Sequence, residues 1–197
     1  MNAGHTTTVS TAQSWTMPRV LRHVLKVALG TAFVAVCAHI ALPLPFSPVP
    51  LTLQTFAVLL IGLTYSPQIA SQTMFLYLAE GLFRMPVFAP TGLYGAAHLI
   101  GPTGGYLLSF PTMAVLAAFL VRKLQLRLPR MAAALVACTA ASLFNLAAGT
   151  LWLGLVLRSA TPHLLWMGLL PFLPGEAVKA AAATGISGAW TSLRRKF

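Results

Sequence analysis

The sequence predicts an all-α integral membrane domain with six transmembrane helices, and three observations carry that prediction. Hydrophobic residues fill 57% of the 197 positions and charged ones 8%, with a mean hydropathy of +0.80, far from the composition of a soluble domain. Apolar blocks occupy most of the chain and leave no room for a separate aqueous domain. Ten of the thirteen basic residues fall in three clusters bordering those blocks: Arg19, Arg22 and Lys26; Arg122, Lys123, Arg127 and Arg130; Arg194, Arg195 and Lys196. Such clustering is the positive-inside rule seen in sequence. The formal net charge of +11 therefore reports membrane orientation, and nucleic-acid binding is set aside.

Residues 1–18 are polar and lack a signal peptide's apolar core and cleavage site, which predicts a disordered cytoplasmic tail ahead of a transmembrane domain over 19–197. The first span, about 20–42, spaces small residues three and four apart at Ala28, Ala32 and Ala35. Small side chains let helices approach closely in lipid, so this ridge is either internal packing or a docking face for another membrane subunit. Four prolines within 43–50 break the helix and favour a stiff, extended loop. The second span, about 51–65, opens with Thr52, Gln54 and Thr55. The two threonines are read on one helix face, and Gln54 beside them needs a partner from a neighbouring helix or a ligand.

A turn at Tyr65-Ser66-Pro67-Gln68 precedes a third span, about 69–82. Near its end Tyr77 and Glu80 share a face, and Arg84 is spaced to form an i,i+4 ion pair with Glu80. Residues 83–105 are rich in Gly, Pro and aromatics, among them Phe88 and Tyr94, and a long loop of that kind is usually functional. The glycines from Gly101 to Gly105 are not followed by Lys-Ser or Lys-Thr, so no P-loop is present. Spans at about 106–121, 131–157 (interrupted by Asn145 and Gly149) and 175–192 complete the six. Cys37 and Cys138, each alone in an apolar block, read as packed thiols.

The last span begins Pro171-Phe172-Leu173-Pro174-Gly175-Glu176-Ala177-Val178-Lys179. Pro174 suits the first turn of a helix, and Glu176 gains there from the helix dipole. Glu176 is one of only two acidic residues in the chain, and at i,i+3 it shares a face with Lys179. Charge within a membrane helix costs about 2.5–3.5 kcal/mol on insertion scales, so something must offset it. Either the two form a structural ion pair near the membrane edge, or they serve a small polar solute. With the basic clusters cytoplasmic, both termini lie inside. The Pro-rich loop, the Gly/Pro/aromatic loop and the Glu176 end of the last helix then meet at the outer face, as an outward-facing ligand pocket.

Four motifs together resemble the BioY family, the biotin-specific substrate-binding components of energy-coupling factor (ECF) vitamin transporters. They are Pro48-Val49-Pro50-Leu51-Thr52-Leu53-Gln54-Thr55; Met85-Pro86-Val87-Phe88-Ala89; Gly101-Pro102-Thr103-Gly104-Gly105-Tyr106; and Phe172 through Lys179. Their order and spacing match over about residues 20–190. The resemblance implies a multi-pass protein of the cytoplasmic (inner) membrane. It also implies a biotin pocket capped by the loops after the first and third helices, and docking through the spaced alanines of the first helix on a membrane coupling subunit driven by two ATPases. No cofactor belongs to this chain, any ATP hydrolysis falling to the partners. Glu176 departs from the family's usual Pro-Gly-Asp, and Phe83-Arg84 and the loop around Tyr94 are also unusual.

Biotin's own groups suit this inventory. Glu176 can accept from ureido N–H groups, Lys179 or Arg84 can donate to the ligand's oxygens, and Tyr77, Phe88, Tyr94 and Tyr106 can cover an apolar ring. Thr52 and Gln54 complete the predicted ligand set. Capture of another small vitamin, or transport without a motor, are the rival functions. An embedded enzyme is disfavoured because His39, His98 and His163 are dispersed and the two acids stand far apart in sequence.

Overall fold

The computed structural model describes residues 18–158 and 162–194. Residues 1–17 of the predicted tail over 1–18, and the Arg195–Lys196 part of the last basic cluster, lie outside the described residues. Helix α1 spans Arg19–His39, α2 Gln54–Thr64, α3 Pro67–Leu82, α4 Ala96–Ile100, α5 Gly104–Leu124, α6 Arg130–Leu157, α7 His163–Gly168 and α8 Leu173–Arg194, with a 3-10 turn at Leu170–Phe172 before α8.

Prolines and one serine set several of the starts. Pro18 precedes α1 and Pro129 precedes α6, where a missing N–H removes no helical bond. Ser66 caps α3 by accepting from the Ile69 N–H, with Pro67 next in line, the expected side-chain satisfaction of a free helix-start donor. Helix α6 stops where Arg158 turns left-handed, at φ 50°.

The all-α expectation holds with one exception. Ala41–Leu42 (β1) and Leu51–Thr52 (β2) pair antiparallel, Ala41 opposite Thr52, and clasp the Pro-rich loop at its base. Thr52 therefore lies in a strand and α2 begins two residues later, so Thr52 and Thr55 do not share a helix face. The extended conformation that proline imposes on the loop carries into both flanks and makes pairing available to them. The long 83–105 stretch, expected as a loop, also holds the short helix α4.

Among the described residues, α1, α5 and α6 are long and apolar enough to cross a membrane. Helices α2 and α3, at 11 and 16 residues, are shorter than the roughly 20 residues a crossing takes. Helix α8 has 22 residues but carries Glu176 and Lys179 in its first half.

The core runs between α1, α2, α3, α5, α6 and α8, through Val34, Val58, Met74, Phe110, Ala137 and Ala183. Close approach replaces bulk in it. A Cβ on Gly62 of α2 would meet the Ala114 carbonyl and Ala117 of α5 at 2.8 Å, so glycine sets the separation of those helices, as small residues do in lipid-embedded packing.

The two ends of the bundle differ in charge. Arg122 donates to the Tyr65 carbonyl at 2.8 Å, and the Tyr65 hydroxyl donates to the Lys26 carbonyl at 3.0 Å. The basic start of α1 and the basic end of α5 thus meet. Helix α5 runs from there back to Gly104 and Tyr106 at the opposite end, where the loops and the first turn of α8 gather.

Candidate ligand-binding site

At that opposite end a cavity of about 50 Å³ is enclosed by the Pro-rich loop (Val49, Pro50), Thr52, Gln54 and Thr55, by Ala89 and His98 of the α3–α5 connection, by α5 (Tyr106, Leu107, Phe110), Asn145 of α6, Phe172, and Glu176 and Lys179 of α8. Its walls are mostly apolar with a few placed polar groups, the usual constitution of a small-molecule site.

Glu176 and Lys179 are both buried. Lys179 Nζ lies 2.7 Å from Glu176 Oε1 and donates also to Thr55 Oγ1 at 3.0 Å. The Thr55 hydroxyl donates to the same Oε1 at 2.6 Å, and Ser142 of α6 donates to Oε2 at 3.0 Å. Three helices therefore converge on one carboxylate. A carboxylate offers about four acceptor positions and an ammonium three donors. Three of the carboxylate's positions and two of the ammonium's hydrogens are used within the protein, which leaves one acceptor on Oε2 and one N–H on Lys179 for a further partner.

A second polar chain supports the loops. Thr52 donates to Gln54 Oε1 at 3.1 Å, Gln54 Nε2 donates to the Tyr77 hydroxyl at 2.5 Å, and Tyr77 donates to the Val87 carbonyl at 2.8 Å. Phe88 packs edge-on against Tyr77, with centroids 5.3 Å apart, and lies 5.1 Å from the His98 ring. It rests on Gly81, whose Cβ, if present, would overlap the phenyl ring at 2.0 Å. Across the cavity, Tyr106 donates to the Gly168 carbonyl at 2.6 Å, and its ring lies on Gly149, where a Cβ would stand 2.1 Å from Cδ1.

Of the residues expected to meet a ligand, Thr52, Gln54, Tyr106, Glu176 and Lys179 line this cavity together. Tyr77 does not line it: its side chain is fully buried and its hydroxyl is committed to Gln54 and Val87. Phe88 and Tyr94 line a neighbouring cavity of about 380 Å³ that shares only Ala89 and His98 with the first, and Tyr94 is 69% exposed. Arg84 lies outside both, exposed and left-handed at φ 65° just past α3. Its expected pairing with Glu80 is not formed. Glu80 Oε1 instead accepts from the Thr31 hydroxyl of α1 at 3.1 Å, because the chain leaves helical geometry at Arg84 and carries its side chain off the shared face.

Thr55, Ser142 and Asn145 also belong to the site and were absent from the expected set. Ser142, Asn145 and Gly149, at i, i+3 and i+7, mark one face of an otherwise apolar span, a pattern that would have located the buried side of α6. On α1, Ala28 and Ala32 are exposed and Ala35 half-buried. The packed face of that helix is Gly30, Thr31, Val34, Cys37 and Ala38, so Ala28 and Ala32 lie off the internal packing surface while Ala35 packs in part against the core. Cys37 and Cys138 are buried and unpaired by disulfide.

A family model described as the BioY family matches residues 6–196. The biotin transporter BioY2 of Lactococcus lactis subsp. cremoris is 35% identical over 159 residues, covering 80% of this chain and 84% of its own. The probable biotin transporter BioY of Pyrococcus horikoshii is 33% identical over 166 residues, 84% of this chain and 94% of its own. The crystal structure of the S-component for biotin from an ECF-type ABC transporter shares the fold, with a TM-score of 0.80, 24% identity, and coverage of 90% of this chain and 94% of that one.

Proposed function

The chain belongs to the BioY family, and we propose on that footing that it captures biotin in the cavity around Glu176 and Lys179 and delivers it across the membrane. The observation that carries this reading is the buried Glu176–Lys179 pair, which after every internal hydrogen bond still presents one acceptor and one donor to an apolar cavity. A ureido group offers both complements, N–H to the carboxylate and carbonyl to the ammonium. The apolar wall of Tyr106, Leu107, Phe110 and Phe172 suits the ring fused to it.

Six spans, with both termini in the cytoplasm of a cell whose cytoplasmic membrane holds the protein, agree with the positions of the basic residues. Arg122 and Lys26 mark one end of the bundle and the cavity the other, so the positive-inside rule turns the cavity outward. The cavity's volume is well below the roughly 300 Å³ of even a small ligand pocket. Entry of biotin therefore requires the 43–50 loop and the 85–98 segment to swing away from α8. The exposed Ala28–Ala32 face of α1 is the proposed seat of an ECF coupling subunit, with ATP hydrolysed by further subunits.

The deciding experiment is equilibrium binding of radiolabelled biotin to the purified protein, with thiamine and riboflavin as competitors. Saturable binding that neither competitor displaces is expected. Displacement by either vitamin, or no saturable binding by well-folded protein, overturns the assignment.

A further inference from the structure

Asn145 stands midway along α6 and is 1% exposed, on the wall of the cavity. Its amide nitrogen is fully used: Nδ2 donates to the Tyr106 carbonyl at 2.9 Å and to Ser109 Oγ at 2.6 Å. Ser109 spends its own hydrogen on the same Tyr106 carbonyl at 2.9 Å, so toward Asn145 it can only accept. Turning the amide over would set Oδ1 against the Tyr106 carbonyl, which can only accept, and this fixes its orientation. The remaining atom, Oδ1, is buried with no hydrogen-bond partner in the protein. Buried acceptors are nearly always paired, and the neighbours that could have paired this one have been given to Nδ2.

We propose that Asn145 Oδ1 accepts a hydrogen bond from an N–H of the bound molecule and makes the site selective for a cyclic urea over its single-N–H isosteres. The inference rests on the biotin reading above and adds to it. Glu176 keeps one open acceptor position, which serves one ureido N–H and leaves the other unmet. Together Asn145, Glu176 and Lys179 present two acceptors and one donor, the complement of two N–H groups and one carbonyl; His98 Nδ1, also buried and unpartnered, belongs to the same wall. A site built to accept from a ligand N–H rejects an analogue lacking it, because its own buried acceptor then faces an oxygen unpaired.

The probes are biotin and two cyclic carbamate analogues, each with one ureido N–H replaced by a ring oxygen, a change of hydrogen bonding with little change of shape. The wild-type protein is expected to bind both carbamates about ten- to a hundredfold more weakly than biotin. In Asn145→Leu, biotin itself weakens by a similar factor and the penalty for one of the two carbamates disappears. A purely structural role for Asn145 would weaken all three ligands alike. Retention of both penalties in Asn145→Leu therefore overturns the proposal, as does unchanged biotin affinity. Should that variant fail to fold, the wild type alone decides: one carbamate binding as tightly as biotin means that only one N–H is read, and the proposal falls. A wild type that binds no biotin at all contradicts the functional assignment instead.

Discussion

The Thr55 hydroxyl donates to Glu176 Oε1 at 2.6 Å across 121 positions of sequence. The same oxygen of Thr55 accepts from Lys179 at 3.0 Å, so carboxylate, hydroxyl and ammonium close a triangle between the first turn of α2 and the first two turns of α8. Charges withdrawn from water need compensation from each other and from surrounding hydrogen bonds. The triangle supplies it, while Ser142 holds the second carboxylate oxygen from α6. A pair so supported is both a structural clasp and a prepared site, and substitutions separate the two roles.

Glu176→Gln keeps the shape but leaves the ammonium of Lys179 without its charge partner and puts an N–H where a ligand N–H would point. Removing one member of a buried pair costs about 3–5 kcal/mol of stability in general, and loss of one charge-assisted ligand bond about 1.5–3 kcal/mol of binding. Both variants, Glu176→Gln and Lys179→Met, are therefore expected to melt lower, and biotin affinity measured on their folded fraction to fall at least tenfold. Exchanging the two residues should recover part of the melting temperature and none of the binding. Near-native affinity in both single variants would leave only the structural role.

How much of this could be seen in the sequence depended on how local the signal was. The ends of the long helices were legible because prolines, basic clusters and apolar blocks act over a few residues. Glu176 and Lys179 stood out because charge is rare in this chain and costly in lipid. The partners of that pair were not legible: Thr55 and Ser142 are ordinary hydroxyls until three helices bring them within 3 Å of one carboxylate. Tyr77 and Phe88, expected to cover the ligand, do not line the cavity, because aromatic content alone cannot tell a ring that faces the cavity from one that braces a loop behind it. The i,i+4 spacing of Glu80 and Arg84 suggests an ion pair only in a helix, and the helix has ended by Arg84.

Gly149 is expected to be intolerant of a side chain. A Cβ there would overlap the Tyr106 ring at 2.1 Å and drive the tyrosine from its bond to the Gly168 carbonyl. Overpacking of this kind costs typically 1–3 kcal/mol, so Gly149→Ala should lower the melting temperature and weaken biotin binding together. Gly185 of α8 has nothing within 4 Å of a built Cβ. Gly185→Ala should be neutral or stabilising by up to about 1 kcal/mol, since alanine is the better helix former. Equal behaviour of the two variants in thermal melts would contradict the packing described at Tyr106.

Acidification is expected to loosen the α3–α5 connection through His98. Burial pushes this imidazole below its ordinary value of 6.5, against the opposing effect of the Ala89 and Leu93 backbone carbonyls. Its folded pKa is thus depressed, and below about pH 6.5 the unfolded chain takes up the proton more readily than the folded one. The stability contributed by neutral His98 is present above that pH and is lost as pH falls toward the depressed value. Thermal melts at pH 7.5 and 5.5 should show a larger fall for the wild type than for His98→Gln, which cannot titrate. The same fall in both proteins would assign the acid sensitivity to other groups.

The last prediction concerns the outer face of α1. Ala28 and Ala32 are exposed, while the packed side of the helix is formed by Gly30, Thr31, Val34 and Cys37. A large side chain at either alanine therefore has no internal neighbour to displace and should leave the fold and biotin binding by purified protein nearly unchanged. In lipid, a small-residue face is where another helix can come closest, and a tryptophan there would hold a partner off. Ala28→Trp and Ala32→Trp are thus expected to reduce uptake by cells and co-purification of a coupling subunit by tenfold or more, with melting temperature within a few degrees of wild type. Tryptophan at the exposed Leu29, turned about 100° around the helix from Ala28, serves as the control for bulk alone. If the control impairs uptake as much as the ridge variants do, or if biotin binding falls in step with uptake, the alanines are not a docking face.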